Sequence, residues 1–149
     1  HYPLRRQRQM CIRDRDLNYW NLCNEEIRIN PNIKYQGELE PNQINSALIK
    51  YHFFVLPTLN ENYGHAIVEA INVGVPVIIS DATPWKNLNL FNIGQELDLK
   101  DEESWIEQLI KYYHLSEEDY QSMVNSCYRF SEEYIVNKEL KLNYKKLFN

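Results

Sequence analysis

The chain of 149 residues lacks the features that mark several classes of protein. Its apolar runs are interrupted well short of the roughly 20 residues that a membrane-spanning helix needs. No secretory signal is visible and no Asn-x-Ser/Thr acceptor occurs. The three cysteines, Cys11, Cys23 and Cys127, match neither a zinc spacing nor a disulfide framework. No Ser/His/Asp or Cys/His arrangement indicates a nucleophile. The cysteine pattern, together with the lack of an Asn-x-Ser/Thr acceptor, favours a protein of the reducing cytoplasm.

The charge of the chain is low overall and uneven along it. There are 16 basic and 21 acidic side chains, for a net charge of −5. Residues 1–16 hold five of the basic residues and two of the acids, which leaves 11 basic against 19 acidic side chains in the rest. An acidic body argues against a nucleic-acid partner, because phosphate contacts require a basic face.

The first 15 residues differ in composition from everything that follows. Their positive charge comes from arginine alone, whereas the remainder has nine lysines and two arginines. A basic arm for nucleic acid or an anionic membrane is one interpretation. We favour a disordered or non-native segment without function, and His1 in place of Met suggests that the chain is a fragment.

From Asp16 onward, short apolar strands alternate with amphipathic helices. Helical patterns cover residues 16–29, 41–51, a stretch from about Gly64, 101–113, 116–135 and 137–148. Strand patterns cover 32–39, 52–57 and 75–80, and the last two are continuous apolar runs that predict strands buried on both faces. This alternation predicts an α/β fold with a Rossmann-like parallel sheet and flanking helices.

The segment "ENYGHAIVEA", residues 61–70, follows the strand predicted at 52–57 and is the strongest candidate for a site. Ligands of parallel sheets bind beyond the carboxyl ends of the strands, where Glu61 is expected to lie. Gly64 allows the backbone to approach a ligand, and the first N–H groups of the following helix suit phosphate oxygens. Glu69 is about 7.5 Å along the helix axis from Gly64, at 1.5 Å per residue.

The same spacing assigns faces to this helix. Ala66, Ala70 and Val73 are predicted to pack on the sheet, while His65 and Glu69 share another face with Asn72. One elongated ligand, a sugar, a diphosphate and a ribose, could then contact the loop acid, the helix start and Glu69, whose carboxylate suits a vicinal diol. The alternative is that both acids only complement the helix dipole or form surface pairs. Spacing alone leaves both interpretations open.

The stretch "LPTLNENYGHAIVEAINVGVPVIISDATPW" resembles the donor-binding signature of GT-B glycosyltransferases of family 4, a large retaining group that uses nucleotide-sugars. Their E-x7-E pattern is matched by Glu61 and Glu69. Further elements match in the same order, namely Pro57-Thr58, Tyr63-Gly64, Glu69-Ala70, Gly74 with Pro76-Val77, and Thr83-Pro84-Trp85. "YQGEL" is similar to the family's strand and glycine turn near the nucleobase. The resemblance extends from about Asp16 to the C-terminus.

The resemblance implies roles for particular residues. Glu61 would be the catalytic residue that bonds donor-sugar hydroxyls, and Glu69 would take the ribose hydroxyls. The residues implied to hold the sugar and diphosphate, mainly through backbone N–H groups, are Tyr63, Gly64, His65 and Ala66. Leu39 and Glu40 would lie near the nucleobase. The donor would be a UDP- or GDP-sugar, and transfer would need neither a cofactor nor a metal and would retain the anomeric configuration.

Parts of the family's pattern are absent from the sequence. Its first strand, with a glycine-rich turn and downstream Arg and Lys, has no match, and neither does the acceptor-binding N-terminal domain of the GT-B fold. We therefore expect residues 16–149 to be the C-terminal donor-binding domain, truncated at its N-terminal edge and inactive alone. The acceptor is unknown, and a lipid-linked or surface glycan, as in polysaccharide biosynthesis, would place the protein at the inner face of the membrane.

Two rival functions stay open at this stage. One is another GT-B enzyme, such as a sugar-nucleotide epimerase, and the other is a non-catalytic α/β binding or interaction module.

Trp85 either walls the donor pocket or packs under the loop, and packing is slightly favoured. Trp105 is expected in the core.

Overall fold

The computed structural model describes residues 17–136 of the chain, except for the side chain of Val136. The arginine-rich segment and the amphipathic helix predicted at 137–148 lie outside these residues. Backbone contacts divide the chain into two units, His1–Glu38 and Leu39–Asn149.

The described part of the first unit contains one helix. Helix α1, Leu17–Ile29, confirms the helical pattern at 16–29. The strand predicted at 32–39 is wrong, because residues 31–40 form turns and irregular backbone and all of them are exposed. An apolar segment becomes a strand only where a neighbouring strand pairs with it. Here the ring of Tyr35 packs edge-on against Trp20 of α1, with centroids 4.9 Å apart.

The second unit is built on a parallel sheet. Its three strands are β1 (Phe54–Leu56), β2 (Val77–Ser80) and β3 (Gly94–Leu97), in the order β1-β2-β3. Leu56 is in register with Ile79, and Ser80 is in register with Leu97. The carboxyl ends of all three strands therefore lie at the same edge.

The burial of the strands follows their place in this sheet. Every residue of β2 is buried, which confirms the prediction for 75–80. The prediction that the strand at 52–57 is buried on both faces is wrong, since β1 lies at the sheet edge and Val55 is 41% exposed. Strand β3 was not predicted, because its sequence, GQEL, has only one large apolar residue.

Helices surround the strands in the second unit. A 3-10 turn at Pro41–Gln43 precedes α2 (Ile44–Leu48), so the helix predicted at 41–51 is shorter and irregular at its start. The others are α3 (His65–Asn72), α4 (Glu102–Tyr113), α5 (Glu117–Phe130) and a π-helical turn at Ser131–Val136. Asp101 caps α4 by accepting a hydrogen bond from the N–H of Ser104, and Ser116 caps α5 by accepting one from the N–H of Asp119.

Helix α3 supplies much of the core. Its buried residues are Ile67, Val68, Ala70 and Ile71. The prediction that Ala66 faces the sheet is wrong, because Ala66 is exposed. The larger aliphatic side chains of Ile67 and Ile71 take that face instead, since each contributes about 1.5–3 kcal/mol when buried. The exposed positions of His65 and Asn72 agree with the predicted outer face.

These elements confirm an α/β fold with a parallel sheet and flanking helices. Its core cluster joins α3 and β2 with Leu88, Ile93 and Cys127. Within residues 17–136, no helix is both long and apolar enough to cross a membrane.

Candidate functional site

The loop of residues 57–64 lies at the carboxyl edge of the sheet, where the sequence predicts the site. It begins after β1 ends at Leu56 and leads into α3, which starts at His65. The loop that follows β2 leaves from the same edge, because β1 and β2 are parallel neighbours. Side chains from that second loop can therefore support the first.

Ser80, the last residue of β2, fixes the beginning of the 57–64 loop. Its hydroxyl donates a hydrogen bond of 2.5 Å to the carbonyl oxygen of Thr58. Ser80 is fully buried, so this bond satisfies a hydroxyl that has been removed from water. The hydroxyl of Thr58 in turn donates to the carbonyl of Asn60, which closes a tight turn. The sequence interpretation did not identify Ser80, although its place before "DATPW" at the strand end was a usable signal.

Glu61 caps the end of the same loop. Its Oε1 accepts hydrogen bonds from the backbone N–H of Gly64, at 3.1 Å, and of Tyr63, at 3.4 Å. The structure thus brings together three of the predicted site residues in one turn. The carboxylate also lies just before the N-terminus of α3, where a negative charge is favoured by the helix dipole.

Trp85 supports the loop from below. Its indole Nε1–H donates a hydrogen bond of 2.7 Å to the carbonyl oxygen of Tyr63. The ring also packs against the core cluster and lies 6.3 Å from the ring of Phe130, between centroids. The structure therefore shows Trp85 packed under the loop, and the packing includes a hydrogen bond that the sequence does not reveal.

Gly64 is required by both the conformation and the packing of this turn. Its φ of +79° lies in the left-handed region, which other residues rarely adopt. A Cβ atom there would lie 2.7 Å from Cδ1 of Ile67 and 2.9 Å from Nε1 of Trp85. Glycine thus lets the loop close tightly onto the start of α3.

The N-terminus of α3 opens beside this turn. Its first helical hydrogen bond runs from the N–H of Val68 to the carbonyl of Gly64. The N–H groups of His65, Ala66 and Ile67 precede that bond and so have no acceptor within the helix. His65 and Ala66 are exposed, and the ring of His65 lies 4.7 Å from that of Tyr63. Such a helix start can accept an anion.

The structure gives the positions of Glu69, Leu39 and Glu40 but does not test the roles predicted for them. Glu69 is half-buried on α3, one turn after His65. Leu39 and Glu40 are exposed, and the backbone N–H of Glu40 donates a hydrogen bond to Oε1 of Gln43 at 3.0 Å. The ribose role of Glu69 and the nucleobase role of the pair stay predictions.

The charged side chains of the segment that carries the site are acidic. Residues 57–85 contain neither Lys nor Arg. The next cation, Lys86, donates its Nζ to the carbonyl of Asp81. Within this segment, the positive potential available to an anion comes from backbone N–H groups and the helix dipole. Across residues 17–136, no group of three or more His, Cys, Asp or Glu side chains is placed to hold a metal ion.

Other features of the second unit do not extend this site. Burial raises the pKa of the Cys127 thiol to about 12, so Cys127 is an inert core residue. Trp105, expected in the core, is only half-buried, and its Nε1–H donates to the carbonyl of Asp98 at 2.9 Å. A recess of about 780 Å³ lies along α5 and is lined by residues between Glu117 and Arg129, none of which belongs to the loop or to α3.

The parallel sheet with its flanking helices defines a Rossmann-like domain of the α/β class. A family model described as glycosyl transferases group 1 matches residues 16–129. The chain therefore belongs to the group 1 glycosyl transferases and carries a glycosyl-transfer domain of the GT-B superfamily. Among curated proteins, none matches the chain significantly.

Proposed function

We propose that the loop of residues 57–64 and the start of α3 bind the nucleotide-sugar donor of a retaining, family 4 type of glycosyl transfer. The observation that carries this proposal is the arrangement of Glu61, Gly64 and the α3 N-terminus at the carboxyl edge of the sheet. Membership of the group 1 family supplies the reaction class. The E-x7-E pair is then Glu61 and Glu69.

Glu61 is proposed to contact the donor sugar. A carboxylate offers about four acceptor directions on its two oxygens. The two N–H groups of Tyr63 and Gly64 engage Oε1, so the carboxylate is already oriented while acceptor capacity is left for sugar hydroxyls. Fixing the carboxylate before the donor arrives reduces the entropy lost on binding.

The diphosphate is proposed to lie over the first turn of α3. The backbone N–H groups of His65 and Ala66 lack helical acceptors and carry partial positive charge. Both residues are exposed, so phosphate oxygens can reach them. Tyr63 lies beside them with its ring against that of His65. Glu69, one turn further along, would accept the two ribose hydroxyls, and Leu39 and Glu40 would approach the base.

The described site favours binding over chemistry. Glycosyl transfer leaves a nucleoside diphosphate whose growing charge must be stabilised in the transition state. Residues 57–85 offer N–H groups but neither Lys nor Arg for this task. We therefore propose that the cations and the acceptor site come from outside this segment. We also propose that the chain by itself binds the donor without transferring sugar, because its sequence has no match for the Arg and Lys that neutralise the diphosphate in the family it resembles. As the acceptor we propose a lipid-linked or surface glycan.

One observation favours a second candidate function, a non-catalytic binding or interaction module. Glu61 caps its own loop, which is the role that a purely structural acid would have. The two candidates differ in the role of Glu69. In the donor-site proposal Glu69 binds the ribose, whereas in a non-catalytic module that uses Glu61 only to cap the loop, Glu69 binds no nucleotide.

Calorimetric titration of the chain with UDP, GDP and their sugars separates these candidates. The donor-site proposal predicts binding that Glu69→Ala weakens by about tenfold or more, since two hydrogen bonds to a charged group are lost. Glu107→Ala is the matched control, because Glu107 is an exposed helical glutamate on α4. Absence of binding at millimolar nucleotide, or equal affinities in the two variants, would refute the proposal.

A further inference from the structure

The peptide between Tyr63 and Gly64 is held at both of its ends by side chains. Its carbonyl oxygen accepts the indole N–H of Trp85 at 2.7 Å. Its N–H donates to Oε1 of Glu61 at 3.1 Å. In a trans peptide the C=O and N–H groups lie in one plane and point in opposite directions, so the bonded atoms of Trp85 and Glu61 lie at opposite edges of this peptide group.

This arrangement couples the two side chains. A hydrogen bond to the carbonyl of a peptide polarises its N–H, and each bond strengthens the other in a partly buried environment. The coupling is also geometric, because rotation of this peptide would lengthen both bonds together. The Tyr63–Gly64 peptide therefore links the indole of Trp85 to the carboxylate of Glu61.

Trp85 is itself well fixed. Its backbone N–H donates to Oγ1 of Thr83, which is buried. Its ring belongs to the layer around the core and faces Phe130 of α5, which stacks on Tyr134 at 4.8 Å. The absent side chain of Gly64 leaves the space that the indole nitrogen occupies. Trp85 can thus transmit the rigidity of the core to the loop.

We propose that Trp85 is a positioning residue of the donor site, which sets the orientation of the Glu61 carboxylate through the Tyr63–Gly64 peptide. This inference rests on the proposed function, since Glu61 must contact the donor for its orientation to matter. Trp85 contributes no contact of its own to the ligand. The indole N–H of Trp85 is already bonded to the Tyr63 carbonyl, and Trp85 affects the donor through Glu61.

The test compares Trp85→Phe with Trp105→Phe in the full chain. Both substitutions keep an aromatic ring and remove one indole N–H that donates to a backbone carbonyl, at 2.7 Å in the first case and 2.9 Å in the second. Affinity for UDP and GDP sugars is measured by calorimetry, and folding by urea denaturation. We expect Trp85→Phe to weaken binding about two- to tenfold, the fold-change of one net hydrogen bond, and Trp105→Phe to leave it unchanged.

A double-mutant cycle with Glu61→Ala distinguishes positioning from direct contact. If Trp85 acts through Glu61, Trp85→Phe causes no further loss of affinity in the Glu61→Ala background. An equal loss in both backgrounds would overturn the inference, because Trp85 would then contact the donor or support the fold in general. Unchanged affinity in Trp85→Phe alone would overturn it as well.

A measurement without ligand keeps this inference separate from the proposed function. Hydrogen exchange of the Trp85 indole N–H, followed by NMR, should be several-fold faster in Glu61→Ala than in the parent chain, while the Trp105 indole serves as an internal control. If the parent chain binds no donor, the proposed function and the donor role of Trp85 both fail. Unchanged exchange of the Trp85 indole would instead refute the coupling itself, whatever the chain binds.

Discussion

Replacing Gly64 with alanine should destabilise the protein for two reasons that the structure separates. The first is conformational, because the φ of Gly64 is +79° and an L-residue there costs about 1–2 kcal/mol. The second is steric, since the new Cβ would lie 2.7 Å from Cδ1 of Ile67 and 2.9 Å from Nε1 of Trp85. Overpacking of this kind costs about 1–3 kcal/mol. The expected total is about 2–5 kcal/mol, a large part of the 5–15 kcal/mol by which domains are typically stable.

Gly37→Ala is the matched control for this substitution. Gly37 has nearly the same φ, +80°, but a Cβ there would meet nothing within 4 Å. It should therefore show only the conformational cost of about 1–2 kcal/mol. Because Gly37 and Gly64 belong to different units, amide hydrogen exchange is the appropriate assay, as it gives the stability of each unit separately.

The exchange of amides in β2 reports on the substitution at Gly64, and the exchange of amides in α1 reports on the one at Gly37. A loss in Gly64→Ala no greater than that in Gly37→Ala would contradict the close packing between Gly64, Ile67 and Trp85. It would also remove the basis for the rigid loop on which the proposed donor site depends.

Three further predictions concern groups whose surroundings are equally well defined. Ser80→Ala should cost about 1–3 kcal/mol in urea denaturation, because it removes a buried hydrogen bond, whereas Ser46→Ala, at an exposed donor to a carbonyl, should change little. The hydrogen bonds from Ser104 lower the pKa of Asp101 from 3.8. The ionised carboxylate therefore stabilises the fold above its unfolded pKa, and this stabilisation is lost as the pH falls through its folded pKa. Denaturation measured between pH 6 and pH 2 should show that Asp101→Asn lacks this pH-dependent contribution. In a chain whose other two cysteines are replaced by serine, Cys127 should react with a thiol reagent at pH 8 only as fast as the protein opens, because burial raises its pKa to about 12; rapid reaction of the folded protein would contradict its burial.

The sequence predicted the central part of the fold because local pattern and tertiary position agree there. "VPVIIS" is continuously apolar and contains the central strand. A helix begins directly after Gly64, as the glycine and the helical pattern that follows it indicate. The prediction failed where the outcome depends on a neighbour. Residues 32–39 look like a strand, but a strand forms only when another pairs with it. Val55 belongs to β1, which lies at an edge of the sheet, and it is 41% exposed.

The candidate site was predictable to a similar degree. The positions of Glu61 and Gly64 at the end of a strand followed from the order of the elements, and the family resemblance named the pair with Glu69. The contacts that hold the loop were not predictable. Ser80 and Trp85 reach it across 22 residues of sequence, and such bonds depend on parallel pairing that places two loops side by side.

The proposed location of the donor, on the 57–64 loop and the start of α3, can be tested by an NMR titration. Two-dimensional amide spectra of the chain would be recorded with increasing UDP-sugar or GDP-sugar, and the perturbed amides assigned. We predict that the largest changes fall on Gly64, His65 and Ala66, where the N–H groups of the turn and of the α3 start would meet the sugar and diphosphate. Saturable changes confined to other surfaces, such as the recess along α5, with these three amides unmoved, would contradict the account.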